Sequence, residues 1–169
     1  KLEVCKSNIY NNLDVKDCQK TRDKVNRLFY SYYICILIIR ERIMEVKGRF
    51  DHFNINVTDL DKSISFYKKA LGLNEIRRKE ASDGSFTLVY LGDGVSPFSL
   101  ELTWLRDHPQ AYELGENESH LCIRVDGDYD KIREYHKEMG CVCYENHSMG
   151  LYFINDPDDY WIEVLPINR

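Results

Sequence analysis

Residues 52–73 read HFNINVTDLDKSISFYKKALGL, and residues 120–141 read HLCIRVDGDYDKIREYHKEMGC. Aligned on their histidines, the two stretches keep one register without a gap. Ile55 falls on Ile123, Val57 on Val125, Ile64 on Ile132, Tyr67 on Tyr135 and Gly72 on Gly140. Such a repeat, occurring twice and longer than a solenoid unit, reads as a duplicated module.

Both copies parse alike. Phe53, Ile55 and Val57 alternate with His52, Asn54 and Asn56, the period of a half-buried strand. Leu60, Ile64, Tyr67 and Leu71 recur at helical spacing, with Asp59 placed as N-cap and Gly72 just past the C-terminus. Strands are predicted over 73–79, 85–91 and 98–104, with Asp83-Gly84 turning the first hairpin. In the second copy Leu121, Ile123 and Val125 alternate, and Ile132, Tyr135 and Met139 lie on a helix ending at Gly140. Strands follow at 141–145, 150–155 and 160–165, with Asp156-Pro157-Asp158 as a turn. The order is β-α-β-β-β twice, an α+β fold. Module one spans about 49–104, the linker 105–117 carries Pro109 and Gly115, and module two spans about 118–166.

The 169 residues suit one domain or two small repeats sharing a core. Hydrophobic residues at 43% and charged residues at 30% are ordinary for a globular protein and exclude disorder, collagen and coiled coil. A net charge of −5 argues against a nucleic-acid partner, which calls for a basic face. The six cysteines are irregularly spaced in a chain that needs no disulfide framework, so they read as reduced thiols of a cytoplasmic protein.

Residues 1–43 differ from the rest. They carry 9 basic and 5 acidic residues, whereas 44–169 carry 14 and 23, and every Gly, Pro and Ala lies after residue 43. Leu28–Ile39 is apolar except for Ser31, too short a run to span a bilayer, and Arg40, Glu41 and Arg42 follow it in place of a small-residue cleavage site. Three readings stay open: upstream sequence before a start at Met44, an added helix packing on the domain, or a weak membrane anchor. Residues 44–169 call for no membrane.

Strand parity picks out four side chains. In the first strand the odd positions are apolar, so His52 points away from the core; His120 shares its parity with Cys122 and Arg124. Leu100 and Leu102 face inward, leaving Glu101 outward with Ser99 and Thr103. Ile162 and Val164 likewise leave Glu163 outward. Each module thus offers one His and one Glu on the face its helix does not cover. If the sheets curve around that face, two imidazoles and two carboxylates suit one divalent ion such as Ni²⁺, Co²⁺, Mn²⁺, Fe²⁺ or Zn²⁺, with open positions for water or substrate. A single outward His or Glu would carry no such reading; the repeat does. His108 and His147, in loops, and His136, on the second helix, read as solvated.

These residues resemble the vicinal oxygen chelate superfamily and, within it, bacterial-type glyoxalase I (lactoylglutathione lyase), over about residues 49–166. The most specific pieces are His52, Val57-Thr58-Asp59-Leu60, Ser63, Phe66-Tyr67, Leu71-Gly72-Leu73, Leu100-Glu101-Leu102-Thr103, Tyr112-Glu113-Leu114-Gly115 before His120, and Asn155-Asp156-Pro157-Asp158 leading to Ile162-Glu163-Val164. Glu101, where methylmalonyl-CoA epimerases tend to have glutamine, favours glyoxalase I. Four ligands argue against extradiol dioxygenases, which use three. The resemblance implies His52, Glu101, His120 and Glu163 as ligands of one metal per site, Ni²⁺ or Co²⁺ before Zn²⁺, in a homodimer whose sites form within or between subunits.

It also implies a reaction. The hemithioacetal of methylglyoxal and a thiol becomes a 2-hydroxyacyl thioester, with a carboxylate moving a proton between neighbouring carbons next to a metal acting as Lewis acid. Glu163 is the first choice for that carboxylate and Glu101 its partner on the other face. Trp104 and Tyr152 are candidates to wall a small dicarbonyl, with packing as the plainer role for each. The chain departs from the family at three positions. Asn56 replaces an arginine and Leu105 an asparagine at positions that resemblance assigns to glutathione, and Asp159 replaces a glycine. Which thiol serves stays open, with Arg106 or Arg124 as candidate compensating cations. Two further classes compete: another metal enzyme of this scaffold, such as an epimerase or thiol transferase, and a metal-free binding or resistance protein.

Overall fold

The computed structural model describes residues 15–42 and 44–168. Its elements are α1 (Val15–Arg42), β1 (His52–Val57), α2 (Leu60–Leu71), β2 (Asn74–Glu80), β3 (Phe86–Gly92), β4 (Ser99–Leu105), β5 (Leu121–Val125), α3 (Tyr129–Glu138), β6 (Val142–Asn146), β7 (Leu151–Asn155) and β8 (Trp161–Pro166). The β-α-β-β-β order therefore occurs twice. Two four-stranded mixed sheets result, ordered β1-β4-β3-β2 and β5-β8-β7-β6. β1 runs parallel to β4 and β5 parallel to β8; the other neighbours are antiparallel.

The strands after the first of each module begin one residue later than the sequence predicts. At two of them the helix exit is the cause. The Leu73 amide bonds back to the Tyr67 carbonyl and the Cys141 amide to the His136 carbonyl, so each closes its helix before the ladder starts. Asp59 caps α2 through the Lys62 amide, and Gly72 ends it at φ 69°, as expected. Asp128 caps α3 in the same manner.

The inward residues of both sheets meet in one core with α2 and α3. Ile55, Val57, Val89, Leu91, Leu100 and Leu102 join Ile154, Ile162 and Val164, with Tyr67 and Ala70 from α2. Exposed β2 is charged at Glu75, Arg77, Arg78, Lys79 and Glu80, which discourages pairing at that sheet edge. Polar bonds stitch the modules together. Tyr67 Oη donates to buried Asp156 at 2.8 Å, and Asp158 accepts from the Thr58 amide and hydroxyl. Burial pushes the Asp156 carboxyl up to about 6, and burial beside Asp156 raises the Tyr67 phenol.

His136 corrects the expectation of a solvated side chain. It is fully buried, its Nε2–H donating to the Ala70 carbonyl at 2.8 Å and its Nδ1 accepting from Tyr152 Oη at 2.9 Å. Desolvation lowers its pKa, which keeps the ring neutral. The repeat misled because α3 turns a different residue inward than α2 does. Tyr67 is 1% exposed, but its counterpart Tyr135 is 45% exposed and the next residue is buried instead. His108 is also not freely solvated: it stacks on Tyr112 at 4.1 Å. His147 is exposed as expected.

The chain divides into two units between Gly48 and Arg49. In the first, α1 includes the whole apolar run 28–39, and its described side chains are exposed. Residues 1–14 and 43 of the leader lie outside the described residues, as does Cys5. No described helix is long and apolar enough to cross a membrane. Cys35, Cys122, Cys141 and Cys143 are free thiols.

Candidate metal centre

Parallel pairing sets the site. In the β1–β4 ladder Asn54 stands opposite Glu101, so His52, two residues before Asn54, shares the outward face with Glu101. The β5–β8 ladder sets Cys122 opposite Glu163, with His120 two residues before Cys122. The outcome is one pair per module: His52 Nε2 lies 3.5 Å from Glu101 Oε2, and His120 Nε2 lies 3.3 Å from Glu163 Oε2. Each imidazole rests edge-on against an aromatic ring from the strand beside its glutamate's. Tyr90, the register partner of Glu101, serves His52 at 5.6 Å; Phe153, the partner of Glu163, serves His120 at 5.2 Å.

The donor set fits a divalent ion. Nitrogen and oxygen ligands each about 2.1 Å from a common ion stand roughly 3 Å apart or slightly more, the range both pairs occupy. His52 Nδ1–H donates to Asp51 Oδ2 at 2.7 Å, which leaves the Nε2 lone pair on the Glu101 side. That bond holds the Asp51 carboxyl below its usual range. Each pair supplies only two ligands, and among the described residues no three His, Cys, Asp or Glu side chains gather to hold an ion. The four predicted ligands thus occur as two pairs.

The pairs differ in their surroundings. Asn54 Nδ2 donates to Glu101 Oε1 at 2.9 Å, and Thr103 Oγ1 donates to the same oxygen at 3.3 Å. The Glu101 carboxylate beside the Tyr90 phenol raises that phenol's pKa. Around Glu163 the corresponding residues are Cys122, Leu165 and Phe153. Burial and the Glu163 carboxylate push the Cys122 thiol up to about 11. Between the modules, a cavity of about 60 Å³ is lined by Phe53, Asn54, Leu100, His120, Tyr160 and Ile162. It is far smaller than the several hundred Å³ of a typical ligand pocket.

Other predicted contributors sit elsewhere. Tyr152 is fully buried under α3 and walls nothing, and Trp104 packs at the core's margin. Arg106 Nη1 donates to the Asp83 carbonyl in the β2–β3 turn, and Arg124 Nη1 to the Pro166 carbonyl, so both candidate cations already hold backbone. Arg77 instead lies over the Tyr90 ring at 3.6 Å, beside the His52 pair. Asp159 takes up the left-handed conformation its glycine counterpart would favour, at φ 69°, with Oδ1 accepting from Asn155. Tyr90, Phe153, Asn54 and Asp51 were missed. Parity within β3 and β7 would have found the first two, since Val89 and Leu91 point inward on either side of Tyr90.

Comparison with known proteins extends the repeat to a family. Residues 49–164 match the Glyoxalase/Bleomycin resistance protein/Dioxygenase superfamily. The chain is 35% identical over 124 residues to the lactoylglutathione lyase of Neisseria meningitidis, covering 69% of this chain and 89% of that protein. It is 37% identical over 126 residues to a probable lactoylglutathione lyase of Synechocystis, covering 68% and 92%. Among solved structures, the trypanothione-dependent glyoxalase I of Leishmania major superposes with a TM-score of 0.62 at 33% identity, over 71% of this chain and 87% of that one.

Proposed function

The chain belongs to the glyoxalase/bleomycin resistance protein/dioxygenase superfamily, and from that membership we propose that it is a lyase of methylglyoxal detoxification. Its substrate is the hemithioacetal of methylglyoxal and a small thiol, and its product is the lactoyl thioester. The observation that carries this reading is the doubled pair, His52 with Glu101 and His120 with Glu163, at matching register positions.

The four side chains together would hold one divalent ion, Ni²⁺ or Co²⁺ before Zn²⁺. When bound, the ion supplies Lewis acidity toward the two neighbouring oxygens of the substrate. Glu163 takes the carbon-bound proton and returns it to the adjacent carbon, and Glu101 flanks the opposite face. Tyr90 and Phe153 back the two imidazoles. Because each pair is short of a full ligand set, the reading calls for a homodimer in which pairs from two copies complete each site. The free thiols suit the reducing cytoplasm.

The cosubstrate is a small thiol. Relatives are named for glutathione and for trypanothione, and Asn56 and Leu105 set this chain apart at the positions resemblance assigns to glutathione. The test follows thioester absorbance from methylglyoxal with glutathione and other thiols, comparing apo protein with Ni²⁺- or Zn²⁺-loaded protein. Metal-dependent thioester with glutathione is the expected result. Activity with another thiol alone keeps the chemistry and changes the substrate. Silence with every thiol, in folded loaded protein, overturns the lyase in favour of an epimerase-like enzyme or a binding protein.

A further inference from the structure

We propose that Asn54 is a positioning residue that fixes Glu101 as the standing metal ligand, and that the missing counterpart donors leave Glu163 as the carboxylate free to move a proton. The inference rests on the metal-centre reading above.

A carboxylate oxygen only accepts, so the Asn54 amide must present Nδ2 to it. One Nδ2 hydrogen goes to Glu101 Oε1 and the other to Thr103 Oγ1, whose hydroxyl in turn points to the same Oε1. The three side chains close a triangle on one oxygen. Oε2 is left toward His52 Nε2. Asn54 and Thr103 are carried by β1 and β4, which are hydrogen-bonded neighbours, so the triangle is as rigid as the ladder beneath it. A carboxylate held in this way presents one oxygen in one direction, as a permanent ligand requires.

A base has the opposite need: a free lone pair and room to turn. The second module keeps only one weak donor beside its glutamate. Cys122, a weak donor with a single hydrogen, replaces Asn54; Leu165 replaces Thr103; Phe153 replaces Tyr90. Glu163 keeps its approach to His120 and nothing comparable to the triangle.

The experiment measures Ni²⁺ affinity by equilibrium dialysis and the visible spectrum of Co²⁺-loaded protein for the wild type and for Asn54→Leu. Loss of an outer-shell partner typically weakens metal binding by 10–100-fold. Asn54→Leu should therefore bind Ni²⁺ about 10-fold more weakly or worse, with shifted Co²⁺ bands. Asn54→Asp, close in shape but acceptor for donor, should lose more; it serves if the leucine variant misfolds. Cys122→Asn with Leu165→Thr, which builds the donors around Glu163, should lower kcat with KM and Ni²⁺ affinity held. Folded Asn54 variants with wild-type affinity and spectrum overturn the positioning role, and unchanged kcat in the double variant overturns the division between the glutamates. Wild-type protein that binds neither ion instead removes the metal centre itself.

Discussion

Around Glu101 stand Asn54, Thr103 and Tyr90; at the matching places around Glu163 stand Cys122, Leu165 and Phe153. The backbone under both sets is the same, a parallel pair flanked by an antiparallel strand. Inward positions of the two modules have stayed apolar because the shared core admits nothing else, as with Leu102 and Val164 at 0% exposure. Outward positions lie outside that shared core and take polar as well as apolar side chains, so three donors in one module correspond to three poor or absent donors in the other. Duplication thus supplies two equivalent scaffolds, and chemistry on the open face tells them apart.

Removing each acid in turn tests the difference between the modules most strongly. Glu163→Gln should cut turnover by about 10²- to 10⁴-fold while retaining metal, as loss of a general base does. Glu101→Gln should lose Ni²⁺ first, and His120→Ala likewise. Thioester absorbance and dialysis together read both outcomes, and full turnover in Glu163→Gln would sink the assignment of the base.

The helices offer the next contrast. His136→Leu leaves Tyr152 Oη and the Ala70 carbonyl without their buried partner, at about 1–3 kcal/mol per orphaned group. Urea unfolding should show that loss. Tyr135→Phe, at the position where α2 has its buried tyrosine, should fall within about 0.5 kcal/mol because the side chain is exposed.

Acidity separates the modules' shared bonds from their cores. Asp156 has a folded pKa of about 6 against 3.8 unfolded. The folded state therefore binds more protons between those values, and the Asp156 contribution to stability is present below pH 4 and lost as pH rises through 6. The window is worth on the order of 3 kcal/mol. Asp156→Asn should accordingly be more damaging at pH 4 than at pH 7, when urea midpoints of variant and wild type are compared at each. A difference that grows toward pH 7 would contradict the sign.

The smallest effect belongs to a turn. Where β3 leads to β4 the positive φ falls on Gly94, but where β7 leads to β8 it falls on Asp159. Asp159→Gly should relieve left-handed strain of about 1 kcal/mol, less the loss of the Asn155 bond, and raise Tm slightly.

Much of this was legible in the residues. Period-two alternation in 52–57 and 121–125 placed the first strands, and the flanking Leu100, Leu102, Ile162 and Val164 turned both glutamates outward, because side chains in a strand alternate strictly. Helix phase was less legible. Tyr67 and Tyr135 match in sequence, yet only one is buried, since a small rotation of a helix changes which residue faces inward and the repeat carries no trace of it. Arg106 and Arg124 looked available as cations because their backbone acceptors, Asp83 and Pro166, are 23 and 42 residues away.

Local periodicity and spacing were enough to read the duplicated β-α-β-β-β order, the capped helix and the outward side of His52, Glu101, His120 and Glu163, and the motifs around them carried the resemblance to the family. Tertiary packing alone set the two histidine–glutamate pairs, the bond by which His136 locks α3 to α2, and the donation of Asn54 to Glu101 where the other module has Cys122 beside Glu163. Those features depend on strand register and helix rotation, which are set by packing across the whole core, and no single stretch of chain contains both partners of any of them.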